Sequence, residues 1–148
     1  MNHSDTHLSD NHNTADEALT PLQAARRALY RWADVVSRGQ IDDVLALYAS
    51  DAILVPTLSN EIRERDEERR RYFEMFMADG IPQCTIDREN SRISRKHSTV
   101  VIGGLYSFRF ERKAGEETVR ARFLFTFEQI DGPWLITGHH SSRLTETV

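Results

Sequence analysis

Apolar residues recur at two different periods along this chain, and the change of period near residue 84 divides it into a helical and a stranded half. Thr20 followed by Pro21 reads as an N-cap with proline at the first helical position. Leu22, Ala25, Leu29, Trp32, Ala33 and Val36 then form one apolar stripe at helical spacing, and Gly39 stops it. A second, shorter helix is expected from Ile41 and Asp42, carrying Val44, Leu45, Leu47 and Tyr48 until Ser50 and Asp51 break it. Ala52 to Pro56 reads as a short strand. Residues 61–71 are dense in both signs of charge, as on a solvated helix surface with pairs four residues apart. Tyr72, Phe73, Phe76 and Met77 continue that helix with an inward face, and Gly80 to Pro82 end it. From Cys84 the period falls to two, and residues 85–93, 98–110, 118–128 and 134–142 read as strands. Turn residues around Gly115 and at Asp131, Gly132 and Pro133 separate the last three. Three helices and one short strand followed by a long antiparallel meander predict an α+β domain, with helices gathered on one face of a curved sheet.

Strand alternation decides which side chains share a site. Phe123, Phe125 and Phe127 lie on one face with Val119 and Ala121, a face that must pack on the helices or on a second subunit. Arg120, Arg122, Leu124 and Thr126 lie on the other. Arg122 at mid-strand needs water or an anion, because unpaired burial of a charge is costly. His139 and His140 point to opposite faces, so one of them at most looks directly at any one site. Ser141 shares the side of His139. Tyr106 offers a phenol, with Tyr48 and Tyr72 as further candidates, and Gly103 with Gly104 suits a bend or bulge. Trp32 and Trp134 read as core anchors.

Composition narrows the function. The chain has 148 residues, 39% of them hydrophobic, which suits one domain with a real core. Residues 1–17 are polar and read as a flexible tail, leaving a single domain over residues 18–148. His3, His7 and His12 lie in that tail without a supporting metal-ligand pattern. A net charge of -4 argues against nucleic acid as an electrostatic partner. Cys84 is the one cysteine, so no internal disulfide is expected, and a reducing cytoplasm is the simplest setting. No apolar run reaches the ~20 residues of a membrane span, and Met1 to His7 lack the features of a signal peptide. Phosphate-cradling glycine loops, nucleophile elbows and paired metal motifs are absent from the sequence, so no cofactor and no metal are expected.

Three stretches carry a resemblance. Residues 54–63, then Gly104-Leu-Tyr-Ser-Phe108 with Ala121-Arg-Phe-Leu-Phe125, then Trp134-Leu-Ile-Thr-Gly-His-His-Ser-Ser142, resemble a bacterial group in the nuclear transport factor 2-like superfamily. The group is the SnoaL-like, SgcJ/EcaC-type proteins, related to the association domain of calcium/calmodulin-dependent protein kinase II. The resemblance implies a cystatin-like cone, with three N-terminal helices packed on a strongly curved antiparallel sheet and a pocket at the wide end. It implies a homodimer through the sheet, or a larger ring. In the kinase association domain the pocket is arginine-rich and accepts small carboxylates. Arg122 falls at one of those arginines, and His140 at the histidine before a second arginine, where this chain has Ser141. Arg69 falls where that domain has a pocket histidine. No kinase domain is present in this sequence, so neither kinase activity nor calmodulin binding follows.

Two functions of different kinds emerge. One is a small-molecule pocket, in which His139 or His140 acts as general base and Arg122 stabilises an anion or enolate, with Tyr106, Ser141, Tyr48, Tyr72 and Arg69 as ligand contacts. Isomerisation, cyclisation or hydration of an apolar carbonyl or carboxylate compound would suit that set. The other is a homo-oligomerisation module without a ligand of its own.

Overall fold

The computed structural model describes residues 19–145. The expected tail and its three histidines lie outside those residues. Helix α1 (Pro21–Ser37) opens with the cap that the sequence foretells: Thr20 Oγ1 accepts from the Gln23 amide at 3.1 Å, and Gln23 Oε1 accepts from the Thr20 amide at 3.0 Å. A short α2 (Ile41–Leu45) follows. Strand β1 (Tyr48–Val55) begins earlier than the sequence pattern suggests, so Tyr48 stands on a strand, not a helix. Helix α3 (Asp66–Phe76) starts later than residue 61, with Asp66, Glu67 and Glu68 in the first turn, where the helix dipole favours negative charge. Four long strands complete the chain: β2 (Gln83–Ser94), β3 (Thr99–Arg112), β4 (Gly115–Gln129) and β5 (Trp134–Arg143).

The five strands form one sheet in the order β1-β5-β4-β3-β2. The meander β2 to β5 is antiparallel, while β1 joins its edge parallel to β5, with Leu54 opposite His139. The sheet wraps its aromatic face around α1. Trp32 is 1% exposed at the centre of the cone, with ring centroids 5.3 Å from Phe125 and 5.7 Å from Tyr106. Phe123, Phe125 and Phe127 are therefore covered from within, by the helix and by one another, and need no second subunit. Truncating a fully buried tryptophan of this kind costs about 3–5 kcal/mol.

Strand β2 bulges between Ile86 and Arg88. There the Arg88 carbonyl turns onto the backbone of Gly104, and a Cβ at Gly104 would lie 1.8 Å from that oxygen. Only glycine leaves room for so close an approach of two backbones. No helix among the described residues is long and apolar enough to cross a membrane. We expect Gly104→Ala to lower unfolding free energy by roughly 2–4 kcal/mol, because the bulge must move to admit the methyl group. Urea denaturation would read this directly, and an unchanged midpoint would contradict the close contact.

Candidate functional site

The interior of the cone carries a line of polar groups where apolar ones would pack as well. Alternation on β5 turns His139 inward, opposite Phe125, and His140 outward, opposite Leu124. His139 is 5% exposed, stacked on Phe125 with centroids 3.8 Å apart and planes at 16°. Its Nδ1 lies 2.9 Å from Tyr48 Oη, and its Nε2 lies 3.1 Å from Tyr106 Oη. Trp32 Nε1 lies 3.0 Å from the same Tyr48 oxygen.

The direction of these bonds follows from what each group can do. An indole N–H only donates, so the Tyr48 oxygen accepts from Trp32 and directs its own hydrogen to His139 Nδ1. Burial lowers the His139 pKa from 6.5 to about 3, with a smaller contribution from His140, so the ring is neutral at neutral pH. A neutral ring that accepts at Nδ1 carries its hydrogen on Nε2 and donates it to Tyr106 Oη. The Tyr106 hydrogen is thereby left to point onward, and the neighbouring hydroxyl is that of Ser141. Burial raises the pKa of both phenols well above the physiological range, so both stay protonated.

Beyond Ser141 the line reaches the surface. Thr57 Oγ1 donates to Ser141 Oγ in a very short contact. The segment after β1 folds back on that strand, where Arg63 and Leu54 exchange backbone hydrogen bonds of 2.9 Å each way. This brings the Arg63 guanidinium within 5.8 Å of the Tyr72 ring centroid. Burial pushes the Tyr72 phenol up to about 12, against hydrogen bonding with the backbone of Leu58 and Thr57. Arg63 is only 7% exposed, although it belongs to the charged run expected to be solvated. Its Nη2 donates to Ser59 and its Nη1 to the Glu68 carbonyl, but its buried Nε has no partner. An unpaired buried donor of a charged group is costly, so this orphan marks a place where an acceptor is missing.

The other expected residues fall as follows. Arg69 is fully buried and hydrogen-bonds the carbonyls of Ala49, Ser50 and Ala52 at 2.7 to 3.2 Å. It ties α3 to β1 with its head committed to backbone, although its Nε is also unpaired. Arg122 is exposed on the outer face of β4, between Leu105 and Ser142 on the neighbouring strands, and is not at the cone interior. His140 is likewise on the outer face. The structure thus brings together Tyr48, His139, Tyr106, Ser141 and Tyr72, leaves Arg122 and His140 outside, and adds Arg63 and Thr57. Cys84 is half-buried, with its thiol pushed up to about 12 by burial, which leaves it unreactive.

Several clefts lie on the outside of the cone. They include one of about 670 Å³ beside α1 and Trp134 and one of about 190 Å³ over Ile53, Leu124 and His140. Leu58 and Ile62, on the segment that closes the mouth, are 47% and 54% exposed. Among the described residues no group of acidic, histidine or cysteine side chains is arranged to hold a metal.

A sheet coned around helices, with polar groups aimed at its wide end, is the cystatin-like architecture of nuclear transport factor 2-like proteins. A model of the family named calcium/calmodulin dependent protein kinase II association domain matches residues 23–145, and this chain belongs to that family. The fold is similar to a crystal structure from Xanthomonas campestris described as a candidate domain of the same family. The identity is 37% and the TM-score 0.75, over 83% of this chain and 88% of that one. A ketosteroid isomerase-like protein from Erwinia carotovora matches at TM-score 0.67 and 14% identity, covering 82% of this chain and 95% of that one. A nuclear transport factor 2-like protein with a cystatin-like fold from Novosphingobium aromaticivorans matches at 0.71 and 11%, covering 97% and 92%. At such identities the last two show the fold alone. No curated protein matches the sequence.

The buried imidazole makes stability depend on pH in a defined sense. Because the folded pKa lies below the unfolded one, the unfolded chain binds more protons between about pH 3 and 6.5. Stability contributed by the neutral ring is complete above that window and falls as pH drops through it, by up to ~1.4 kcal/mol per pH unit. Urea unfolding of wild type between about pH 7 and 5 should show this slope, and His139→Phe should flatten it. Equal slopes in the two proteins would contradict a buried neutral His139.

Proposed function

We propose that the protein binds a small molecule bearing a carbonyl or carboxylate group at the wide end of its cone. The observation that carries this reading is the one-way hydrogen-bond chain, whose last hydrogen, on the Tyr106 hydroxyl, is directed at the Ser141 hydroxyl. A ligand oxygen there would accept from Tyr106, and an anionic group would meet the unpaired Nε of Arg63. Entry requires the Thr57–Ser141 contact to part, which makes residues 57–62 the segment that moves.

Binding fits this site better than acid–base turnover. A general base needs a lone pair within reach of the substrate. Both His139 nitrogens are engaged, and its basicity is too low for proton abstraction near neutral pH. The buried charged side chains among the described residues are the two arginines, and the carboxylate beside Arg63, that of Glu61 at 3.6 Å, is itself exposed. His139 is therefore assigned to orient Tyr106, and Arg63 replaces Arg122 as the anion contact.

Thermal-shift titration with acetate, benzoate and cyclohexanone checks this. Benzoate should stabilise wild type. Arg63→Ala should abolish the shift, Tyr106→Phe should weaken it by about 1–2 kcal/mol of binding energy, and Arg122→Ala should leave it intact. No shift with any of the three at millimolar concentration would refute the reading.

A second reading, self-association through the outer sheet face, is favoured by a separate observation. Ile53 and Leu124 are 48% and 47% exposed on adjacent rows of that face, with Val55 beside them. A protein monomeric at all concentrations in sedimentation would contradict it.

A further inference from the structure

Helix α1 rises out of a cleft. The described chain begins at Leu19, which lines the hollow of about 670 Å³ beside α1 and Trp134. Leu19 stands just before the Thr20 cap and Ala24 at the fourth helical position, the two places that a hydrophobic staple joins to fix the direction of entry. Both line the cleft, so residues 1–18 lead into the helix from its edge. The floor is apolar. Ala28 comes from α1, Leu47 from the turn before β1, and the half-buried Trp134 from the first position of β5. The rim is basic, with Arg27 and Arg31 both lining the cleft and both exposed. Asp34 lies 3.6 Å from Arg31 and 3.2 Å from Arg38, so one carboxylate serves two guanidinium groups and this side of the helix keeps a positive excess. The first turn of α1 holds no acidic residue, although a helix N-terminus favours negative charge.

We infer that the occupant of this cleft is the chain's own segment of residues 1–18, seated with Leu8 against Trp134 and with its carboxylates toward Arg27 and Arg31. The segment carries Asp5, Asp10, Asp16 and Glu17 and neither lysine nor arginine, so its charge is opposite to that of the rim. Glu17 and Asp16 stand three and four places before the cap, beside the helix N-terminus that lacks an acid of its own. Leu8 is the one large aliphatic residue between Met1 and Ala18, and the floor of Ala28, Leu47 and Trp134 offers it apolar contact. The chain from Leu8 to Leu19 reaches up to ~36 Å when extended, more than the ~25 Å length of α1, so the tether does not limit the seating. Covering apolar surface supplies the driving force, and the opposed charges set the direction of approach. A tethered segment meets its cleft at an effective concentration on the order of millimolar, which places it ahead of any separate partner of the same chemistry. The cleft lies on the outside of the cone, apart from the proposed ligand site, and the docking stands whether or not that site takes a ligand.

Acrylamide quenching of tryptophan fluorescence tests this on the full chain. Trp32 is 1% exposed, so the quenching that is seen comes from Trp134. Wild type is compared with Leu8→Ser and with a protein carrying both Arg27→Glu and Arg31→Glu. None of these positions belongs to the packed core, and circular dichroism verifies the fold. Trp134 is expected to be shielded in wild type. Loss of the leucine contact should weaken docking at least about tenfold and raise the quenching constant, and reversal of the rim charges should raise it too. Both rises, with wild-type shielding the same at every protein concentration, support docking within one chain. Equal quenching of wild type and Leu8→Ser would overturn it, and that variant decides alone if the charge-reversed protein does not fold. A rise in Leu8→Ser without one in the folded charge-reversed protein would overturn the seating against Arg27 and Arg31. Shielding of wild type that is lost on dilution would assign the cleft to a second copy's segment and overturn docking within one chain.

Discussion

The imidazole of His139 sits between two phenols in a space that water does not reach, and much else in the fold is arranged to keep it there uncharged. A protonated ring at this depth would face aromatic carbon on several sides, with Phe125 stacked at 3.8 Å and Trp32 edge-on at 5.3 Å. Neutrality leaves the ring one N–H, the bond from Tyr48 to Nδ1 puts it on Nε2, and that tautomer sets the direction of the hydrogens from Trp32 to Tyr106. One element supplies each link: α1 the indole, β1 the first phenol, β5 the imidazole and β3 the second phenol. The network is therefore also a staple across the cone, joining β1 and β5 at the sheet edge to β3 and to the helix. Buried polar chains of this sort are weak sources of stability but strong sources of uniqueness, since a shifted register would strand a donor.

The two faces of the sheet divide the chemistry. Everything inward is apolar or belongs to the hydrogen-bond line, and everything outward is short, charged or moderately apolar. The division comes from the period-two alternation of β4, where Phe123, Phe125 and Phe127 face in and Arg122, Leu124 and Thr126 face out. The proposed ligand site and the proposed self-association face then lie on opposite sides of one sheet, with β5 common to both: His139 and Ser141 face the cone, and His140 and Ser142 face out.

Much of this was legible in the sequence, and the exceptions have definite causes. The capping box at Thr20 and the alternation of β3 to β5 are local, so the pattern alone declares them. Tyr48 looked helical because its spacing continues that of Val44 and Leu45; its hydrogen-bond partner His139 lies 91 residues away, beyond any local pattern. Arg63 looked solvated because mixed-charge runs normally are, and its burial depends on a fold-back onto Leu54 that periodicity does not encode. Arg122 was drawn to the pocket by its mid-strand position and then by resemblance. Alternation already placed it opposite the phenylalanines, and once these pack on α1 the arginine must face out. For the histidines, the face shared with Ser141 pointed to His139, which turns inward, whereas the family correspondence pointed to His140, which turns out.

The most direct test of the account is nitrogen-15 NMR of the His139 side chain across about pH 8 to pH 5. A neutral ring protonated at Nε2 and bare at Nδ1, unchanged over that range, is the predicted result. A ring that titrates near its ordinary pKa of 6.5, or one protonated at Nδ1, would contradict both its burial and the direction of the chain that ends at Tyr106.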